Sequence, residues 1–171
     1  MELFVDILKI TIPALIVALS SYFLIKQLNH SSSDKKYLQL KAKNQKEILL
    51  LRLQAYERLI LLMERITPDN LVMRIDTTGL NVNDFHLELL SIIRAEFDHN
   101  ISQQLYVSDM VWQETSNAKE EVTKLINVSF HQIENPSILA ISKKIVETHL
   151  QSNLPTLKAI TAIKAEARQL F

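Results

Sequence analysis

The chain contains no cysteine and a single glycine, Gly79. The first absence excludes disulfides, thiolate zinc sites, iron–sulfur clusters and cysteine nucleophiles. The second excludes glycine-rich phosphate loops, the dinucleotide-binding fingerprint and the Gly-x-Ser-x-Gly nucleophile elbow. Proline is scarce, at four residues, and no stretch carries the period-two alternation of a half-buried strand. Neither sign of charge prevails, with Lys plus Arg at 19 and Asp plus Glu at 19. Nothing here provides the basic footprint of a nucleic-acid binder. What is present is a chain of 171 residues, 47% hydrophobic and 22% charged, which is one domain's worth and rich enough to bury a core. Its abundance of Leu, Ile, Ala, Glu, Lys and Gln leaves mostly helix.

The N-terminus is the most informative stretch. Ile10 to Ile25 is 16 residues without a charge. Crossing a bilayer core takes about 20 apolar residues, so a span must extend back toward Leu3 and take in Asp6 and Lys9. Lys9 can snorkel to the headgroups, and Asp6 then lies at the interface. Pro13 falls in the early turns, where a missing amide donor does least harm. Phe4, Tyr22 and Phe23 suit interfacial anchoring. A cleaved signal peptide fits worse, because Glu2 and Asp6 oppose the one early lysine and Ala18-Leu19-Ser20 is a weak cleavage match. A buried core helix is the other alternative. The expectation is a retained transmembrane anchor over residues 1–28. Within it Ala14 and Ala18 form a small-x-x-x-small pair that permits close helix approach, and so a homodimer.

Lysine placement sets the orientation. Lys26, Lys35, Lys36, Lys41, Lys43 and Lys46 come after the span, and only Lys9 precedes or enters it. The positive-inside bias then puts the N-terminus outside and the C-terminal body in the cytoplasm. Residues 1–46 hold seven lysines against Glu2, Asp6 and Asp34, so the remainder is net acidic. The lysine collar suits anionic lipid headgroups, or serves topology alone.

Residues 29–47 read as a basic juxtamembrane linker and helix start, with Ser31 and Asp34 as starting signals. Residues 48–171 read as a bundle of about five helices. Its long central helix carries Ile48, Leu51, Ala55, Leu59, Leu62 and Ile66, flanked by further apolar residues, so several neighbours should pack on it. Thr67-Pro68 starts a short helix that Gly79 closes with a left-handed backbone. Asn83 or Asp84 starts a helix whose stripe runs Phe85, Leu89, Ile92 with Ile93, Phe97, Ile101 and Leu105. Ser108-Asp109 starts one with Val111, Thr115, Ala118, Val122, Leu125, Ser129 and Ile133. Asn135-Pro136 and Leu154-Pro155 start the last two.

The run Leu51-Arg52-Leu53-Gln54-Ala55-Tyr56-Glu57-Arg58-Leu59, with Glu64-Arg65-Ile66-Thr67-Pro68 beyond it, carries a resemblance. So does Glu96-Phe97-Asp98-His99-Asn100-Ile101-Ser102-Gln103-Gln104-Leu105-Tyr106. With the N-terminal span, these segments resemble an uncharacterised family of short, membrane-anchored, all-helical proteins of the Bacteroidota. The resemblance implies a bacterial inner-membrane setting and no particular activity, cofactor or partner.

Among chemical constellations, Glu96 and His99 are the sharpest, three apart on one helix face with Gln103 a turn further on. Ferritin-like di-iron bundles use Glu-x-x-His twice with two more helical glutamates. Here it occurs once, with Glu57 and Glu64 as the other available carboxylates. A polar face bonded to a neighbouring helix is the simpler reading. His149 reads as a packing histidine. Arg52, Arg58 and Arg65 line the less apolar side of the central helix, either as a partner surface or as intramolecular pairs. Trp112 is an interface anchor or a core residue. The sequence therefore leads us to expect a membrane-anchored interaction protein, an adaptor or accessory subunit without catalysis or cofactor. The alternative is a membrane-bound metalloprotein or hydrolase using Glu96 and His99.

Overall fold

The computed structural model describes residues 2–133 and 137–170, and at 2–8, 10, 27–39 and 42 it describes the backbone alone. All regular structure among these residues is helical: α1 (Glu2–Ile66), α2 (Pro68–Arg74), α3 (Val82–Asn100), a 3₁₀ helix (Ile101–Leu105), α4 (Asp109–His131), α5 (Ile138–Gln151) and α6 (Pro155–Arg168). The chain divides into two compact units, Met1–Ile48 and Leu49–Phe171.

The first unit is the leading part of α1, with Pro13 inside the helix. The helix start expected at Ser31 and Asp34 is not used, and the expected linker at 29–47 is helical throughout. The reason is local: neither glycine nor proline lies between Pro13 and Pro68, so nothing interrupts the amide ladder. From Ile12 to Ile25 the large apolar side chains stand 49–70% exposed. Tyr22 and Phe23 meet edge to face, and Ser20 Oγ donates back to the Val17 carbonyl at 3.0 Å. Among the described residues, no helix is long and apolar enough to cross a membrane. Lys26, Lys41, Lys43 and Lys46 are exposed, while the side chains of Lys35 and Lys36 lie outside the described residues.

The second unit has a closed apolar core. The last turns of α1 contribute Tyr56, Leu59, Leu62, Met63 and Ile66, and α2 adds Leu71. Phe85, Leu89 and Ile93 of α3 join Val111, Ala118, Val122 and Ile126 of α4. Ile141 and Ile145 of α5 and Ala159, Ile160 and Ile163 of α6 complete it. These stripes keep to the threes and fours of helical spacing, and each fully buried aliphatic side chain stabilises the unit by about 1.5–3 kcal/mol.

Helix ends explain the departures from the expected pattern. α1 stops at Ile66 because Pro68 cannot continue it and fits the first turn of α2. Thr67 makes no side-chain cap. Its hydroxyl bonds the Met63 carbonyl at 2.8 Å and Thr156 Oγ1 at 3.0 Å. α3 starts earlier than expected, with Asn81 as its cap: Oδ1 accepts from the Asp84 amide at 2.9 Å. α3 yields to the 3₁₀ helix at Ile101, so Ile101 and Leu105 leave the core stripe and stand 47% and 78% exposed. Ser108 caps α4 and Ser137 caps α5, while Asn135 and Pro136 lie outside the described residues. Gly79 has a φ of +77°, and Leu154, before Pro155, also adopts positive φ at +46°.

Candidate functional site

Two polar centres organise the second unit. The first is built on Glu96. Three residues past the buried Ile93, its side chain sits at the edge of the α3 stripe and is 13% exposed. Oε2 accepts from Arg65 Nη1 of α1 at 3.1 Å, and Oε1 accepts from Arg74 Nη2 at the end of α2 at 3.3 Å. One carboxylate thus holds guanidinium groups from two other helices. Asn100, buried one turn on, donates from Nδ2 to the Glu96 carbonyl at 2.8 Å.

Two adjoining cavities open beside this cluster. One, of about 160 Å³, is lined by Arg58, Leu61, Leu62, Arg65, His99 and Asn100. The other, of about 400 Å³, is lined by Arg65, Arg74, Ile92, Ala95, Glu96 and His99. Arg65 and His99 belong to both. Arg58 is exposed, and its side chain makes no hydrogen bond or ion pair among the described residues. Arg65 and Arg74 therefore face one carboxylate, and Arg58 lines the smaller cavity beside Arg65. Glu57, Glu64 and Asp98 line neither cavity, so the cleft keeps a positive excess. No serine or threonine hydroxyl lines it to act as a nucleophile. Among the described residues, no group of three or more His, Asp or Glu side chains is placed to hold a metal ion. Gln103 does not continue the Glu96–His99 face, because α3 has ended before it; its amide bonds Ser102 Oγ at 3.2 Å.

The second centre is Glu166 of α6, with its side chain 10% exposed. Oε1 accepts from Tyr56 Oη at 2.8 Å, from Arg52 Nη2 at 3.2 Å and from the Ser108 amide at 3.0 Å. Oε2 accepts from the Ser108 hydroxyl. Arg52 is further committed by Nε to the Tyr106 carbonyl at 3.1 Å and by Nη2 to Tyr56 Oη at 2.7 Å. Burial alone would push the Glu166 carboxyl up. The Ser108 hydroxyl and amide, Tyr56 and the Arg52 charge together hold it below its ordinary value. Tyr56 moves the other way, raised by burial and by the neighbouring carboxylate. This network joins α1, α6 and the start of α4, and its groups are spent on one another.

The arginines singled out by sequence thus separate. Arg52 is an internal strut, Arg65 is half-committed to Glu96, and Arg58 is open. Trp112 is half-buried and packs on Phe97 at 5.3 Å between ring centroids, with Lys119 over the Phe97 face. Ala14 and Ala18 are exposed in the first unit. His149 is buried as a packing residue, and its Nδ1 has no hydrogen-bond partner. Sequence reasoning missed Glu166 and Arg74. Glu166 left a signal, a lone carboxylate three residues past Ile163 on an apolar stripe. Arg74 left none, since its role depends on how α2 folds back.

No curated protein and no solved structure matches the chain. A family model described as a family of unknown function (DUF7935) matches residues 2–170, nearly the whole sequence, and the chain belongs to that family.

Proposed function

We propose that this protein is a single-pass, membrane-anchored helical interaction protein, an adaptor or accessory subunit of a bacterial inner membrane. The observation that carries the reading is the apolar run of α1. Its large side chains between Ile12 and Ile25 lie around the whole helix and are 49–70% exposed. A helix apolar on every side requires a nonaqueous environment, and lipid supplies one. The described apolar stretch is short for a full crossing, and residues 3–10 supply the remaining turns of the proposed span. Exposed Lys26, Lys41, Lys43 and Lys46 lie just beyond it, which favours a cytoplasmic body and contact with anionic headgroups. Close approach at Ala14 and Ala18 would allow a homodimer.

Tethering would be the mechanism. Restricting the bundle to the membrane surface raises its effective concentration toward a protein partner in the same membrane. Exposed Met73, Leu87, Leu139 and Leu150 leave apolar surface on the body for such contacts. Glu96 with His99 favours the metalloprotein alternative less, because guanidinium groups already occupy both carboxylate oxygens.

The absence of native cysteine makes the topology directly testable. Full-length Glu2→Cys and Leu170→Cys variants are treated with a membrane-impermeant maleimide in intact cells. The expected result is labelling of Glu2→Cys from outside and of Leu170→Cys only after permeabilisation. The opposite pattern contradicts the cytoplasmic orientation of the body, and release of the protein by alkaline washing contradicts the anchor. In-cell crosslinking with mass spectrometry should recover a stoichiometric partner. Recovery of the chain alone counts against the adaptor role.

A further inference from the structure

We infer that the cleft between α1, α2 and α3 is an anion site for a phosphate monoester group, recognised by Arg58, Arg65, Arg74 and His99. The cleft lies wholly within the second unit, and only the phosphatidate source considered below rests on the proposed membrane anchor.

Glu96 is the organising element. Its carboxylate is mostly covered, yet the two arginines it holds remain 53% and 45% exposed. A carboxylate at the base with exposed guanidiniums above it fixes two planar donor groups without exhausting them. Each guanidinium carries five N–H donors, and the bonds to Glu96 engage one terminal nitrogen of each. The remaining donors are available at the cavity mouth. Fixing flexible arginines before a ligand arrives reduces the ordering cost of binding.

Arg58 and His99 extend the same wall. Arg58 lies seven residues before Arg65, on the same face of α1, and projects into the smaller cavity. His99 bridges the two cavities, and its side chain makes no hydrogen bond among the described residues. The lining holds three fixed positive charges and one negative charge, on a body whose sequence from residue 47 onward is net acidic. A local excess against that background calls for a compensating anion. Guanidinium forks match the oxygen pairs of phosphate, and a dianionic monoester balances the excess of two. Leu61, Leu62, Ile92 and Ala95 supply an apolar border for the group that bears the phosphate.

Two sources share this chemistry, a soluble phosphate monoester and a phosphatidate headgroup. The test uses the full chain in nanodiscs, read by calorimetry. In neutral nanodiscs phenyl phosphate is titrated in, and in a parallel arm phosphatidate is included in the disc and competition with phenyl phosphate is read. Saturable binding with a dissociation constant of about 1 mM or tighter is expected in at least one arm. Arg58→Gln should weaken it about tenfold, the loss of one charge-assisted contact, while leaving the fold intact because Arg58 has no described internal partner. Arg74→Lys keeps the charge and loses the fork, and should weaken binding by several-fold. Tighter binding of phenyl phosphate assigns a soluble ligand, and tighter binding of phosphatidate assigns the headgroup. Absence of saturable binding in both arms overturns the site. So does binding that Arg58→Gln and Arg74→Lys leave unchanged.

Discussion

Two stretches of α1 are rich in large apolar residues but differ in charge and surroundings: residues 12–25 carry no charge, and residues 55–66 carry Glu57, Arg58, Glu64 and Arg65. Residues 12–25 and 55–66 are both dominated by large apolar side chains. In the first, Leu15, Ile16, Val17, Phe23 and Leu24 are well exposed. In the second, Ala55, Leu59, Leu62, Met63 and Ile66 are no more than 1% exposed. The difference lies in the chain downstream of each stretch. Beyond Ile66, Pro68 ends the helix and five further α-helices supply a covering surface. The run at 12–25 continues into polar and basic helix that cannot cover it. Apolar sequence alone therefore specifies a demand for cover and leaves open whether protein or lipid meets it.

Substitutions should separate cover by the bundle from the proposed cover by lipid. Phe85, fully buried against the second stretch's core, should cost about 3–5 kcal/mol of bundle stability when changed to Ala. Denaturant unfolding reads that loss, and an unchanged midpoint would break the contrast from the core side. Val17→Arg should leave the bundle's unfolding unchanged. It should instead impair membrane retention by about 2.5–3.5 kcal/mol, the insertion penalty of a central charge, seen as protein shifting to the soluble fraction.

Glu166→Gln comes next, at about 2–3 kcal/mol. It leaves Arg52, Tyr56 and Ser108 facing a weaker acceptor, and Arg52 at 34% exposure softens the loss. The pH dependence has a definite sign. With its folded value lowered from 4.5, Glu166 contributes stability that is present above that value and lost as pH falls through the folded one. Tyr56 is raised from 10.0, so its contribution is present below pH 10 and lost as pH rises through the folded value. Thermal unfolding across pH should show both limbs, and Glu166→Gln should flatten the acid one. Gly79→Ala is the smallest change, about 1 kcal/mol. The added methyl meets open space, and the loss comes only from the positive φ.

Helical class and the starts at Thr67-Pro68, Ser108-Asp109 and Leu154-Pro155 were legible because capping and spacing are local properties. The stripe Val111, Thr115, Ala118, Val122, Leu125 and Ser129 of α4 is buried as its spacing requires. The stripe assigned past Asn100 was not legible, since the switch to 3₁₀ geometry rotates Ile101 and Leu105 out of the core. On α5, Leu139 and Leu150 face outward, and Ile141, Ile145 and His149 form the buried face. At the polar centres, the Glu96–His99 pair was visible as spacing on one helix. Its true neighbours, Arg65 and Arg74, come from other helices and depend on packing that no local rule encodes. Arg52 follows the intramolecular one of its two sequence readings, bonded to Tyr106, Tyr56 and Glu166 inside the fold.

The most direct test of lipid cover is amide hydrogen exchange of the full chain in nanodiscs, read by mass spectrometry. Lipid burial predicts that residues 11–25 exchange as slowly as residues 55–66, while the helical but solvated stretch 41–46 exchanges faster. Exchange across 11–25 as fast as across 41–46 would contradict the anchor, because a helix facing water has no such protection.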